Sequence, residues 1–389
     1  GGQDDHHQRP QPDQHQRGLQ ALPDIAPDER VDGRPDGELP EDRAEQDRAQ
    51  GATRPDQRRG AHPQRVAHGH GLLARASRDW SNYLVVSSPS AYKAAQPHLS
   101  LEPEKVEYVS TLDWTHLQTI ADKVTDKIRL VVGMGGGVSL DASKYIALRK
   151  KLPLIIVPTI VSTGAIVHSV FAKWEGHATV GDSVDWPWIN FEYAIVDYDV
   201  VLKAPYYLNT AGLGDVLCGY SAIAEWRRNT RFGVGKPFDE DLASKAIGLQ
   251  DYIVCEFPKT LDSDAGLTPD SVRFIMEAVQ RRDDTTINHP NAPGADHSLW
   301  LAAEEINCRT WIHGEFVALG ALVIAWYCEE NPDMFAEWLD TCRIRRRPGE
   351  IGLAKEHLRR ALDYSPVYMS DSANGRDVGS ILRYEPMNE

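Results

Sequence analysis

The sequence predicts an α/β domain built on a parallel sheet, followed by an all-helical domain. Between residues 83 and 196, short apolar runs alternate with stretches whose apolar residues recur at helical spacing, a pattern typical of parallel α/β sheets. After about residue 205 the strand signals fade and helical spacing continues to residue 329. A chain of 389 residues is long enough for two such domains.

Each element is predicted from its own pattern. The runs that begin at Tyr83 and Ile128 are short, apolar and followed by Pro or Gly, as buried strands are. Further strands are predicted at residues 105–110, 154–157 and 193–196, and helices at residues 116–124, 141–148, 212–228, 239–258, 269–280, 296–309 and 313–329. We therefore expect three segments: a disordered or aberrant leader at residues 1–79, the α/β domain at 80–204 and the helical domain at 205–389.

The predicted leader differs in composition from the rest of the chain. Residues 1–79 contain no Phe, Trp, Tyr or Lys, but 12 Arg, 10 Gln and 8 Pro. Such a segment buries too little apolar surface to offset its chain entropy, and it lacks the charged and apolar regions of a secretory signal. We expect it to be mostly disordered, with an artefactual sequence as the alternative.

Charge and cysteine usage exclude several classes of protein. The net charge is −15, of which −12 lies in residues 80–389, and this acidity argues against a nucleic-acid or anionic-membrane partner. No apolar run reaches the roughly 18–20 residues of a membrane span. Five cysteines without a C-x-x-C pair indicate no disulfide framework, so we expect a reducing, cytoplasmic location.

A glycine-rich loop is the first candidate site. The segment from Gly133 to Lys144 follows a predicted strand and opens a predicted helix. Glycines let the main chain approach a bulky anion, and a helix N-terminus supplies free N–H groups and a positive dipole end. The loop therefore predicts a pyrophosphate site at Gly135, Gly136 and Gly137, which would make the α/β domain a dinucleotide-binding one. A glycine-rich turn without a ligand is the alternative.

The motifs around this loop resemble those of the iron-containing alcohol dehydrogenase superfamily. This group includes glycerol dehydrogenases, glycerol-1-phosphate dehydrogenases and, more distantly, dehydroquinate synthase. The likeness covers roughly residues 80–330 and rests on Gly-Gly-Gly-x-x-x-Asp-x-x-Lys at residues 135–144, Tyr-Ile-Ala at 145–147, and Pro-Thr-Ile-Val-Ser-Thr-Gly-Ala at 158–165. It implies NAD or NADP as cofactor, with Thr159 and Ser162 along it beside the three glycines. Asp141 would either order the loop or reach a cofactor hydroxyl.

Two imidazoles and one carboxylate could hold a divalent metal ion with a position left open. The candidates are Asp215, His297 and His313. On one continuous helix the two histidines would lie about 24 Å apart, so the chain must turn between them, near residues 307–310. From the residues alone, a helix-capping Asp and two unrelated histidines remain the alternative.

The resemblance implies that the three residues do bind one ion, Zn or Fe, and carry the catalysis. The family's ligands are an Asp after Gly-x-Gly, a His before a helix and a His in His-Gly-Glu, which match Asp215, His297 and His313. Cys218 is expected to be a buried helical residue rather than a fourth ligand. Lys144 is expected on a helix surface, and His168 to be an ordinary loop or core residue, with a substrate-facing role as the alternative.

Two positions depart from the family pattern. Gly164 stands where glycerol dehydrogenases have an Asp implicated in proton relay, so the resemblance implies an altered substrate or weaker activity. Ser88 follows the strand at residues 83–87, where relatives often have an Asp that binds the adenosine ribose. An acidic side chain there would repel a 2′-phosphate and Ser would not, so we expect NADP(H) to be tolerated.

These features together predict a metal-dependent, NAD(P)-linked dehydrogenase. It would oxidise an alcohol, a polyol or a polyol phosphate such as glycerol 1-phosphate, as a homo-oligomer with a small-molecule substrate and neither nucleic acid nor membrane as partner. Two alternatives remain open. One is a sugar-phosphate cyclase of the dehydroquinate-synthase type that uses NAD transiently, and the other is a catalytically silent member of the fold.

Overall fold

The computed structural model describes residues 66–172, 174–176, 178–179, 189–233, 237–286, 294–370 and 380–384. All of them lie within one compact unit of the chain, residues 54–389. Among these residues no helix is long and apolar enough to cross a lipid bilayer. All five cysteines of the chain are free thiols.

A parallel sheet forms the first half of the described chain. The strands are β1 (Val66–Gly69), β2 (Tyr83–Ser87), β3 (Lys105–Tyr108), β4 (Leu130–Gly135), β5 (Leu154–Pro158), β6 (Trp174–Glu175), β7 (Ala178–Thr179) and β8 (Tyr193–Asp197). Six of them form one all-parallel sheet in the order β1-β8-β5-β4-β2-β3, while β6 and β7 form a short antiparallel pair. The predicted parallel α/β architecture is confirmed.

Helices connect the strands and then make up the rest of the described chain. They are α1 (Leu72–Ala76), α2 (Pro89–Ala95), α3 (Trp114–Asp122), α4 (Gly137–Lys150), α5 (Tyr198–Val201), α6 (Tyr206–Leu217), α7 (Gly219–Arg231), α8 (Glu240–Glu256), α9 (Pro269–Thr286), α10 (Ala295–Asn307), α11 (His313–Tyr327), α12 (Pro332–Thr341), α13 (Lys355–Tyr368) and α14 (Ile381–Tyr384). The stretch predicted as one helix over residues 212–228 is two helices that meet at Cys218.

The sheet is buried on both faces, which explains the continuous apolar runs of its strands. Every residue of β2 is buried. Leu84 and Val86 belong to one apolar cluster and Tyr83 and Val85 to another, because successive side chains of a strand point to opposite faces. The first cluster extends into the helical region, so the sheet and the helices share one core.

The prediction that residues 1–79 form a disordered or aberrant leader is wrong for residues 66–79. Strand β1 pairs in parallel with β8, from Val66 opposite Ala194 to Gly69 opposite Asp197. The buried Asp197 carboxylate also accepts a hydrogen bond from the Leu73 main-chain N–H at 2.8 Å. Composition was a poor guide to this segment, because an edge strand of four residues needs few apolar side chains. Residues 1–65 lie outside the described residues.

Candidate functional site

The glycine loop lies at the point where the strand order of the sheet reverses. From β4, the chain continues to β5 and β8 on one side, whereas β2 and β3 lie on the other. Ser87 at the end of β2 is paired with Met134 near the end of β4, so the carboxyl ends of both strands meet there. In open parallel sheets this switch point is where ligands bind.

At two glycines of the loop, the absence of a side chain allows close approach to the main chain. Gly135 has a φ of 149°, which L side chains rarely adopt. A Cβ on Gly136 would lie 3.0 Å from Ile160 Cδ1. The loop is therefore packed against the segment that follows β5, and larger side chains would close the space between them.

The predicted cofactor residues lie around this loop. Thr159 follows β5 and its main-chain N–H donates to Gly135 O at 3.1 Å. Thr159 and Ser162 are both 6% exposed, so both are buried rather than surface residues. Ser88 follows β2 and caps α2, because its Oγ accepts from Ala91 N at 3.3 Å.

Asp141 and Lys144 form an internal clamp beneath the segment after β5. The Lys144 side chain is fully buried, and its Nζ donates to Asp141 Oδ1 at 2.9 Å, Ala165 O at 2.8 Å and Val170 O at 3.1 Å. The other Asp141 oxygen accepts from Ala172 N at 3.2 Å. The expectation of a surface lysine is wrong, because the three N–H donors of the ammonium group are all used inside the protein. These contacts fix the path of the main chain from residue 165 to 172.

The segment after β5 also touches the helix that carries the first predicted metal ligand. Val161 N donates to Asn209 Oδ1 of α6 at 2.9 Å. A Cβ on Gly212 of α6 would overlap Val161 O, so the two main chains are in contact. Asp215 lies one helical turn beyond Gly212. The segment after β5, which holds the predicted cofactor residues Thr159 and Ser162, is therefore a neighbour of the predicted metal site.

Two glycines bring α6 and α11 into main-chain contact. A Cβ on Gly214 would overlap Gly314 O, and a Cβ on Gly314 would overlap Ala211 O. Asp215 directly follows the first glycine and His313 directly precedes the second. The glycines of Gly-x-Gly-Asp and His-Gly-Glu thus allow the helices to approach until these two side chains meet.

The three predicted ligands converge on one point. The Nε2 atom of His297 lies 3.2 Å from Asp215 Oδ1, and the Nε2 atom of His313 lies 3.0 Å from the same oxygen. One potential ligand atom from each residue lies within 4.8 Å of the others. The histidines are on different helices, since α10 ends at Asn307 and α11 begins at His313. The predicted turn between them is confirmed.

Burial and neighbouring charges shift the pKa values of all three residues of this cluster. Burial would raise the pKa of Asp215, but Arg282 and His313 hold this pKa well below its usual value. Burial lowers the pKa of His313 despite the nearby carboxylate, which favours the neutral imidazole that metal ions bind. For His297, burial is outweighed by Cys218 and by the carboxylates at its two ring nitrogens, which raise its pKa well above the usual value.

Asp296 orients the His297 ring and was not singled out in the sequence. Its Oδ1 lies 2.6 Å from His297 Nδ1, while its Oδ2 accepts from Ser221 Oγ at 2.5 Å. A carboxylate on Nδ1 leaves Nε2 turned to the shared point, as in many metal-binding histidines. Its position directly before His297 was the available signal. Cys218 is buried and donates to Asp215 O, and its Sγ lies 4.0 Å from His297 Nδ1, on the side away from Nε2.

Arg282 is the second residue missing from the sequence prediction. Its Nη1 atom lies 2.6 Å from Asp215 Oδ1, although the two residues are 67 positions apart. No sequence motif surrounds it, so only the packing of α9 against α6 reveals it.

His168 fills the space beside Gly164. A Cβ on Gly164 would lie 2.7 Å from His168 Cε1 and 3.0 Å from its Nε2. An aspartate at position 164 would therefore displace this imidazole. At the position where the resemblance implied an Asp, a glycine thus leaves room for a neighbouring imidazole, and His168 belongs to the segment held by Lys144.

Comparisons with known proteins show what the chain is similar to. Residues 62–205 match the family model described as iron-containing alcohol dehydrogenase. The glycerol-1-phosphate dehydrogenase (NAD(P)+) of Thermoplasma acidophilum is 25% identical over 244 residues, which are 60% of this chain and 64% of that protein. The protein of the same name from Aeropyrum pernix is 26% identical over 318 residues, covering 77% of this chain and 88% of its own.

The fold has solved counterparts. The crystal structure of a probable glycerol dehydrogenase from Sinorhizobium meliloti aligns with a TM-score of 0.57 at 21% identity, over 78% of this chain and 88% of that one. This likeness shows a shared fold. The chain is thus similar to iron-containing alcohol dehydrogenases over its α/β region, and to glycerol-1-phosphate dehydrogenases over a stretch that extends well beyond it.

Proposed function

We propose that the protein is a metal-dependent, NAD(P)-linked dehydrogenase that oxidises a polyol or a polyol phosphate to a carbonyl compound. The observation that carries the proposal is the convergence of Asp215, His297 and His313 on one point. The name shared by these relatives, glycerol-1-phosphate dehydrogenase (NAD(P)+), supports the cofactor and the class of substrate.

The donor set fits a catalytic divalent ion. Two imidazole nitrogens and one carboxylate oxygen leave coordination positions open for a substrate, and Asp296 holds one imidazole in the required orientation. Asp215, His297 and His313 would hold the ion. A bound Zn²⁺ or Fe²⁺ supplies Lewis acidity, which lowers the pKa of an alcohol hydroxyl group.

The loop fits a dinucleotide. Gly135, Gly136 and Gly137 offer main-chain N–H groups at the start of α4, and Thr159 and Ser162 form the adjacent wall. NAD(P)+ supplies a hydride acceptor when bound. The role of the protein is to hold the cofactor and the substrate beside each other, which the contact of the segment after β5 with α6 supports.

Ser88 supports the use of both nicotinamide cofactors. It is a neutral cap at the end of β2, so it would not repel a 2′-phosphate. We propose that the protein accepts NADP(H) in addition to NAD(H). Hydride-transfer rates measured with each cofactor test this point, and strict dependence on NAD would contradict it.

Replacing one ligand tests the proposal. His313→Ala should lose both the bound metal and the dehydrogenase activity, while His116→Ala, an exposed histidine on α3, should keep both. The assay follows NAD(P)H formation with a panel of polyols, polyol phosphates and simple alcohols, with Zn²⁺ or Fe²⁺ added. Full activity in His313→Ala would contradict the assignment. Turnover of a sugar phosphate without net NAD(P)H would indicate the cyclase instead.

A further inference from the structure

Arg282 shares a carboxylate oxygen with the two imidazoles of the metal site. Its Nη1 atom lies 2.6 Å from Asp215 Oδ1, the oxygen on which His297 Nε2 and His313 Nε2 converge at 3.2 and 3.0 Å. The same Nη1 also donates to the Asp215 main-chain oxygen at 3.1 Å. The Arg282 side chain is 19% exposed and that of Asp215 is 2% exposed, so water screens this ion pair only weakly.

A divalent cation and this guanidinium make competing demands on Asp215. The ion would need the lone pairs of Oδ1 that accept from Arg282, because both imidazole Nε2 atoms point there. Two cations at one carboxylate oxygen also repel each other, and burial strengthens this repulsion. Both groups can share the site only if the guanidinium moves away from Oδ1.

We propose that Arg282 is an internal counterion for Asp215, which a divalent ion must displace in order to bind. The inference rests on the metal site proposed above. It gives Arg282 two opposite effects: the guanidinium stabilises the folded protein before metal enters, and it weakens the affinity of the site for metal. Since a buried carboxylate without a counterion is costly, the same residue keeps Asp215 in place for the incoming ion.

Zinc titration of the metal-free protein tests this role directly. Protein stripped with a chelator is titrated with Zn²⁺ in competition with a chromophoric chelator, without substrate or cofactor. Arg282→Gln removes the charge and should bind Zn²⁺ about tenfold more tightly than the wild type, since coupling between two ligands of this kind is typically of that order. Arg282→Lys keeps the charge and should lie nearer the wild type.

A neighbouring arginine provides the matched control. Arg281 precedes Arg282 on α9, but its guanidinium lies over the Tyr252 ring, 5.1 Å from the ring centre. Arg281→Gln should leave the Zn²⁺ affinity unchanged. Thermal unfolding gives a second readout: Arg282→Gln should lower the melting temperature of the metal-free protein, and saturating Zn²⁺ should reduce this difference.

The outcomes separate this inference from the proposed function. If His313→Ala abolishes Zn²⁺ binding but Arg282→Gln binds Zn²⁺ as weakly as the wild type or more weakly, the counterion role is overturned and the metal site stands. If Arg282→Gln does not fold, a Zn²⁺ affinity of Arg282→Lys below that of the wild type overturns the inference. If the wild type and His313→Ala bind Zn²⁺ equally, both proposals fail.

Discussion

At the scale of single residues, buried charges organise both halves of the site. Lys144 was expected on a surface, yet its ammonium group lies inside the protein and is saturated by three acceptors. Its role in the Gly-Gly-Gly-x-x-x-Asp-x-x-Lys motif is therefore to hold the segment after β5. Asp141 acts with it, and ordering the main chain here was one of the two roles expected for this residue.

Removing the Lys144 charge should be strongly destabilising. Lys144→Met leaves the Asp141 carboxylate without its counterion and frees two main-chain carbonyls, so we expect the free energy of unfolding to fall by about 3–5 kcal/mol. Urea denaturation measures this change. The double variant Asp141→Asn, Lys144→Met removes both charges and should be less destabilised than Lys144→Met alone. An additive or larger loss would contradict the clamp.

Candidate site residues could be predicted from the sequence where a motif surrounds them. Asp215, His297 and His313 were predicted from motifs of the family, whereas Arg282 has no motif. Gly164 was identified as a departure from that pattern, but its link with His168 depends on a ring contact that sequence spacing does not show.

At the scale of elements, the crossing of α6 and α11 brings together two residues of the proposed metal site. Their main chains touch at Gly214 and Gly314, which lie next to Asp215 and His313. The Glu315 carboxylate, in the first turn of α11, forms a bidentate ion pair with Arg345. Arg345 Nε donates to Glu315 Oε1 at 2.5 Å, and Arg345 Nη2 donates to Oε2 at 2.7 Å. This pair holds the start of α11 in place, and the same Arg345 guanidinium lies 3.5 Å from the centre of the Tyr207 ring of α6.

A methyl group at the crossing should separate the two helices. The Cβ of Gly314→Ala would overlap Ala211 O, so we expect a loss of about 1–3 kcal/mol in stability, as for other overpacked sites, and much weaker binding of Zn²⁺. Gly248→Ala in α8 is the matched control, because none of the described residues has an atom within 4 Å of a Cβ placed there. That variant should be neutral or slightly stabilised. Thermal unfolding and metal content measure both effects, and wild-type metal content in Gly314→Ala would contradict this account.

At the scale of the whole molecule, one buried carboxylate joins three distant parts of the chain. Glu225 of α7 accepts from Ala295 N at the start of α10 at 3.0 Å, and from Ile381 N of α14 at 2.6 Å. Ser380 Oγ donates to it as well, at 3.1 Å. The described C-terminal residues are thereby tied to the helix that carries His297.

This carboxylate should make stability depend on pH. Burial raises the pKa of Glu225 from 4.5 to about 7, although the N–H groups of Ile381 and Ala295 oppose this shift. The folded protein therefore binds more protons than the unfolded chain between pH 4.5 and about 7, so the free energy of unfolding falls as the pH rises through this window. The full shift corresponds to at most about 3 kcal/mol.

Glu225→Gln should flatten that dependence. Urea denaturation across the window, in the presence of a chelator, compares its slope with that of the wild type. Burial likewise raises the pKa of Glu304 to about 7, and that contribution stays in both proteins as an internal reference. Equal slopes in the two proteins would contradict the role given to Glu225.

The sequence by itself determined the order of five strands of the sheet, most of the helices up to residue 327, the glycine loop and the three ligand candidates. Each of these depends on local spacing: apolar runs for buried strands, helical periodicity after residue 205, and motifs of a few residues. The prediction failed where the signal was weak or absent. Strand β1 is too short for composition to reveal, and Cys218 interrupts a helical pattern whose periodicity continues across it.

Only the tertiary structure decided how these parts meet. Asp215 lies 82 and 98 positions from the two histidines, and 67 from Arg282. Contacts between residues so far apart in the sequence depend on where helices cross. The position of a crossing depends on residues that lack a side chain as much as on the side chains that are present. Gly214 and Gly314 let two helices touch, and that contact turns three separated motifs into one site. The guanidinium of Arg282 reaches the same site because α9 packs beside α6.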